Sequence, residues 1–153
     1  MSFVTIATRG RRPIFQISRF AELFIDTLLR FRAQGRYKLH AYLVMPDHVH
    51  LLLTPQSGLL DQAVALIQNG FTQRLGIEYF LWEPGFTAHP VQGIRSLEIL
   101  RAYLHQTPVR AHIVPSAELY PYSSAHRFAG IPSAPTTTST PELASYETAV
   151  QGE

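Results

Sequence analysis

The chain has 153 residues, 46% of them hydrophobic, and a formal net charge of +2, which suits one globular domain with a core of its own. It has no cysteine, which excludes a disulfide framework and any thiolate zinc or iron–sulfur site. No apolar run approaches the roughly 18–20 uncharged residues of a membrane span, and the first residues are strand-like instead of a signal core, so the expected address is cytoplasmic.

Residues 3–8 are β-rich and predict a first strand, closed by the turn Arg9-Gly-Arg-Arg-Pro13. Ser18 is a candidate N-cap for a helix in which Phe20, Leu23, Phe24, Leu28 and Phe31 recur at helical spacing up to Gly35. Residues 37–44 read as a second strand, Pro46-Asp47 as a tight turn and residues 48–54 as an antiparallel third strand. A second amphipathic helix is expected over residues 59–75, with Gly70 its weak spot, and a short fourth strand over 86–91. A third helix starts at Ser96 and must end or kink at Pro108.

The order β-α-β-β-α-β followed by a helix matches an α+β, ferredoxin-like split βαβ arrangement. It predicts an antiparallel sheet with two helices on one face and a further, C-terminal helix. Residues 1–130 are expected to form this domain. The tail, 131–153, turns to Pro, Ser and Thr and is expected to be partly disordered or a docking segment, with residues 142–150 as a candidate docking helix.

Within the third strand, His48 and His50 share one face, because side chains two apart on a strand point the same way. Two neutral imidazoles a few ångströms apart are half of a divalent-metal site, and two hydrogen-bonded surface histidines are the plainer reading. Asp47 beside them offers a carboxylate or an ordinary turn cap. The charge is uneven as well. Residues 1–40 carry eight basic groups, including Arg9, Arg11 and Arg12, against two acidic ones. Arginine suits bidentate contacts to phosphate, although a solvated basic face has the same composition.

Several runs then carry a family resemblance. Ala41-Tyr-Leu-Val-Met-Pro-Asp-His-Val-His-Leu-Leu-Leu53 resembles the signature of the single-tyrosine HUH transposases, the small insertion-sequence enzymes and their REP-associated relatives. Thr8-Arg-Gly-Arg-Arg-Pro-Ile-Phe15, Trp82-Glu-Pro-Gly-Phe86, Tyr103-Leu-His-Gln-Thr-Pro-Val-Arg-Ala111 and Tyr120-Pro-Tyr-Ser-Ser124 resemble further blocks of that family, in its order, over about residues 3–130. The resemblance implies a strand transferase that nicks and rejoins single-stranded DNA at hairpin ends. Its tyrosine would form a 5′-phosphotyrosine with the help of Mg²⁺ or Mn²⁺, and the protein would act as a homodimer.

By that match Tyr103 is the nucleophile, with Tyr79, Tyr120 and Tyr122 as fallbacks, and His48 and His50 are metal ligands. The third ligand departs from the family pattern. The family has an amide four residues after the tyrosine, and this chain has Thr107, with Gln106 as the neighbouring substitute. Other departures are Gln68-Asn69-Gly70-Phe71, which lacks the family's lysine, and Thr87-Ala88-His89, which lacks its Tyr-Asp. Arg9, Arg11, Arg12 and Arg110 are the candidate DNA contacts, and Phe15 or Trp82 could stack on bases or belong to the core. A catalytically weakened hairpin binder on the same fold and a metal-dependent hydrolase without a tyrosine nucleophile are the competing readings.

Overall fold

The computed structural model describes residues 1–76 and 81–129, the last three by backbone only. Tyr79 and the tail 131–153 lie outside the described residues. The elements follow the expected order: β1 (Ser2–Ala7), α1 (Ser18–Ala33), β2 (Tyr37–Met45), β3 (His48–Pro55), α2 (Leu60–Leu75), β4 (Thr87–Pro90), α3 (Ile94–Arg110) and α4 (Ser124–Ala129). Among the described residues the sheet has four strands in the order β2-β3-β1-β4, with every neighbouring pair antiparallel. This is the ferredoxin-like α+β arrangement.

Alternation along the strands gives the sheet two apolar faces. Val4, Ile6, Val44, Val49, Leu51 and Leu53 bury against Phe24 and Leu28 of α1 and Ile67 and Phe71 of α2. Phe3, Ala41, Leu43, Met45 and Leu52 bury on the opposite face with Leu100 and Leu104 of α3 and with Tyr120. The sheet is therefore a middle layer between an α1/α2 pair and α3. Phe15 and Trp82 join Phe24 and Phe71 in an aromatic cluster, with ring centroids 5.4–6.1 Å apart. The core reading holds for both.

Three local expectations need correction. Ser18 does not cap α1: it is the helix's first residue, Ile17 precedes it, and no side-chain cap bond forms. Pro108 does not end α3, which runs on to Arg110. A proline so close to a helix end removes one backbone bond, and its own carbonyl receives the N–H of Ile113 at 3.0 Å. Gly70 is a contact point instead of a weak spot: a Cβ there would sit 2.6 Å from Phe31 Cε2 and 3.3 Å from Thr27 Cγ2 of α1. The missing side chain lets the two helices approach.

Candidate active site

The turn between β2 and β3 is fixed from outside the hairpin. Thr8, fully buried, uses both its backbone N–H and its hydroxyl to hold the Asp47 carbonyl, each at 3.0 Å, while the N–H of Phe15 donates to the Pro46 carbonyl at 3.0 Å. The Thr8 hydroxyl also contacts the Arg12 carbonyl at 2.8 Å. One buried threonine thus ties the hairpin tip to the arginine-bearing turn. The strand register then sets the histidines, with Ala7 opposite His48 and Thr5 opposite His50 across β1 and β3.

The two imidazoles lie on the α3 side of the sheet, ring centroids 4.8 Å apart and planes at 76°. His48 Nδ1 lies 2.6 Å from Asp47 Oδ1. An ionised carboxylate only accepts, so Nδ1 carries the proton and the Nε2 lone pair is left over. His50 Nδ1 pairs with Thr5 Oγ1 at 2.9 Å. Burial, and then the neighbouring His48, Arg11 and Arg110, push the His50 pKa down to about 3, so its ring is neutral at pH 7. Each ring is thereby oriented by a partner on one nitrogen while the other stays available, the pattern of oriented imidazole ligands.

A cavity of about 730 Å³ opens on this pair, and Thr5, Arg11, Glu83, Tyr103, Thr107 and Arg110 also line it. Helix α3, packed on the same sheet face, supplies Tyr103, which is only 4% exposed. The Arg110 guanidinium carbon lies 4.0 Å from the Tyr103 ring centroid. Thr107 Oγ1 donates to the Tyr103 carbonyl at 3.2 Å.

The expected residues divide clearly. His48, His50, Tyr103, Thr107, Arg11 and Arg110 come together on the cavity, whereas Gln106, Arg9 and Arg12 are absent from its lining. Arg9 and Arg12 are exposed on the adjoining turn. Arg11, 62% exposed at its side chain, approaches Asp47 Oδ2 at 3.7 Å. Tyr120 is committed elsewhere, donating its hydroxyl to the Val44 carbonyl at 2.6 Å, and His89 is on exposed β4.

Thr5 and Glu83 are the cavity residues that sequence reasoning missed. Thr5 was findable once the β1–β3 register was known. Glu83 lies inside the Trp82–Phe86 block, but its partner, the Gly10 N–H that it accepts at 2.6 Å, is remote in sequence and gave no signal.

For a divalent cation the two histidines fit as ligands, with their second nitrogens held by Asp47 and Thr5. Among the described residues no group of three or more His, Cys, Asp or Glu could hold a metal. A third protein ligand among the described residues would therefore have to be of another type than His, Cys, Asp or Glu, with water or a phosphate oxygen completing the shell.

Residues 3–107 match the sequence profile of the family described as "Transposase IS200 like". The chain belongs to the IS200-like transposase family. The match begins in β1, contains His48, His50 and Tyr103, and stops at Thr107. The fold is similar to that of a REP-associated tyrosine transposase solved bound to a REP hairpin. The TM-score is 0.75 at 19% identity, over 91% of this chain and 84% of that one. It also resembles a protein of Deinococcus radiodurans R1 assigned provisionally as a transposase, with a TM-score of 0.50 at 22% identity over 74% and 85% of the two chains. No curated protein matches the sequence. None of the described helices of this IS200-like transposase is long and apolar enough to cross a membrane.

Proposed function

We propose that this IS200-like transposase cuts and rejoins single-stranded DNA at a hairpin, with Tyr103 as nucleophile. The observation that carries the reading is the meeting of Tyr103 and Arg110 of α3 with His48 and His50 of β3 and Arg11 of the turn after β1 on one cavity. The Tyr103 oxygen attacks the scissile phosphorus, a Tyr–O–P bond forms and the P–O3′ bond breaks. The phenol proton leaves to solvent and the departing oxygen takes one up as a free 3′-OH. Because the phosphodiester energy is kept in the 5′-phosphotyrosine, the reverse attack by a 3′-OH reseals the strand.

His48 and His50 would hold Mg²⁺ or Mn²⁺, which supplies charge neutralisation at the scissile phosphate when bound. Asp47 and Thr5 keep the two rings oriented. Arg9, Arg11 and Arg12, on one turn tied to the hairpin tip by Thr8, supply positive charge for the DNA backbone, so affinity should fall steeply with salt. The assembly implied is a homodimer, which light scattering of the purified protein tests.

A hairpin binder without chemistry is the second reading. It is favoured by Thr107, which stands where the family has an amide and whose hydroxyl oxygen already accepts from Arg110 Nη2 at 2.8 Å. One experiment separates the two. Labelled hairpin single-stranded DNA is incubated with the protein and Mg²⁺ or Mn²⁺, and a denaturing gel is scored for a covalent adduct. The transposase reading expects an adduct that disappears in Tyr103→Phe and in His48→Ala. Binding with no adduct under either metal leaves the binder standing. Cleavage that survives Tyr103→Phe refutes the tyrosine's role.

A further inference from the structure

Tyr103, Thr107 and Arg110 contact one another along one face of α3. Arg110 Nη2 donates to the Tyr103 carbonyl at 3.1 Å and to Thr107 Oγ1 at 2.8 Å, while the guanidinium carbon sits 4.0 Å from the centre of the Tyr103 ring. Thr107 Oγ1 donates to the same carbonyl at 3.2 Å. Seven residues are close to two helical turns, so positions 103 and 110 share a face about 10 Å apart along the axis. Helical side chains lean toward the N-terminus, and the long arginine can therefore fold back over the intervening turn. The arrangement requires α3 to continue through Pro108 to Arg110, as it does.

We propose that Arg110 is a positioning residue for Tyr103, held in place by Thr107. The inference rests on the reading of Tyr103 as nucleophile. The planar guanidinium caps one face of the ring and restricts its orientation inside the cavity shared with His48 and His50. It also sets a permanent positive charge against a ring that becomes negative when the phenol ionises. Attraction to the face of a neutral ring is modest, and it strengthens when the ring itself bears charge. Lysine would keep the charge but lose the plane and the fork.

Thr107 serves this arrangement instead of a metal. Its hydroxyl has one proton and two lone pairs. The proton goes to the Tyr103 carbonyl and one lone pair accepts from Arg110. A divalent cation on the remaining lone pair would stand beside a guanidinium and be repelled by it. The departure from the family's amide at this position thus changes the residue's task, from ligand to the support of a positioning arginine.

The test uses the full chain and the variants Arg110→Lys, Arg110→Gln, Thr107→Val and Thr107→Ser. The first readout needs neither DNA nor metal. In protein with ¹³C-labelled tyrosine rings, the Tyr103 signals, assigned by their loss in Tyr103→Phe, are expected to move in both Arg110 variants. They should move less in Thr107→Val and return toward wild type in Thr107→Ser. The second readout is single-turnover adduct formation at saturating hairpin DNA, set against Kd and its salt dependence. Arg110→Lys is expected to slow adduct formation by about 10- to 100-fold, the scale of a misplaced reacting group, with Kd and salt slope within about two-fold of wild type.

Wild-type rate in Arg110→Lys overturns the proposal. So does an Arg110→Gln that keeps its saturated rate and loses about one phosphate's worth of salt slope, which would make Arg110 a backbone contact. A lowered melting temperature with unchanged ring signals and rate would make it a structural staple only, and overturns the proposal equally. If wild type forms no adduct, the nuclease reading fails and the ring signals still decide whether Arg110 holds Tyr103.

Discussion

Removing the Asp47 carboxylate should weaken metal binding without loosening the fold. In Asp47→Ala the backbone carbonyl of residue 47, which receives both bonds from Thr8, is untouched, so the hairpin tip keeps its anchors. What goes is the 2.6 Å contact that holds His48 Nδ1 protonated and its ring turned. Losing such an outer partner of an imidazole ligand typically costs 10- to 100-fold in metal affinity, about 1.4–2.7 kcal/mol. The Asp47 side chain is 33% exposed, and water will replace part of the lost bond, which points to the lower half of that range. Asp47→Asn, which can still accept the proton but lacks the charge, should lose about three-fold. Arg11 contributes little to the difference, since its 3.7 Å approach to Asp47 is long and solvated. Titration of free Mn²⁺ by electron paramagnetic resonance measures the affinity without reference to DNA, and far-ultraviolet circular dichroism checks the fold. An unchanged Mn²⁺ affinity in a folded Asp47→Ala would refute the claim that Asp47 orients a metal ligand.

Three further outcomes follow from burial. Gly70→Ala should destabilise by about 1 kcal/mol in urea denaturation, the overpacking against Phe31 outweighing a helix-propensity gain of similar size. Shrinking the obstacle with Phe31→Leu in the double variant should remove the penalty beyond simple additivity. His105, fully buried and hydrogen-bonded to Ser124 Oγ at 2.6 Å, has its pKa lowered to about 4 by burial and then by Arg101. The unfolded chain therefore takes up this proton first as pH falls, and stability present above about pH 6.5 is lost progressively toward pH 4, by up to about 3 kcal/mol. His50 adds a loss of the same sign, and the slope of stability against pH should flatten in His105→Gln. Tyr120 behaves oppositely: burial, and then Tyr122, raise its pKa to about 12. Its contribution is complete below pH 10 and fades between pH 10 and 12, an alkaline loss that Tyr120→Phe should reduce.

The order and type of the elements were legible because each signal is local. The alternation of residues 48–54 and the helical spacing of Phe20, Phe24, Leu28 and Phe31 depend only on neighbours, and both reappear as β3 and α1. Facts decided by distant partners were not legible. Gly70 lowers helix propensity when judged within its own helix, and only the position of Phe31 on α1 turns that into a packing advantage. Thr8 reads as the last residue of a weak strand, yet it is fully buried and ties the arginine turn to the tip of a hairpin 39 residues away. Pro108 looked like a stop because a proline's local rule is to end helices, and the rule weakens within the last turn.

The site divides along the same line. The i, i+2 spacing of His48 and His50 predicted a common face, and the register with β1 then supplied what spacing could not, the hydroxyl of Thr5 behind one ring. Family resemblance pointed to Tyr103 and left the residue four places on as a gap in the metal shell. That gap closes differently once α3 is followed past the end of the family match, because Arg110 reaches back two turns to the ring and to Thr107. A threonine is too short to replace an amide as a ligand but suffices to anchor a guanidinium. If the exchange at position 107 moved the helix's task from holding the cation to holding the nucleophile, restoring an amide with Thr107→Asn should raise Mn²⁺ affinity while disturbing the Tyr103 ring. Two opposite changes from one substitution would not arise if Thr107 were merely a poorer ligand.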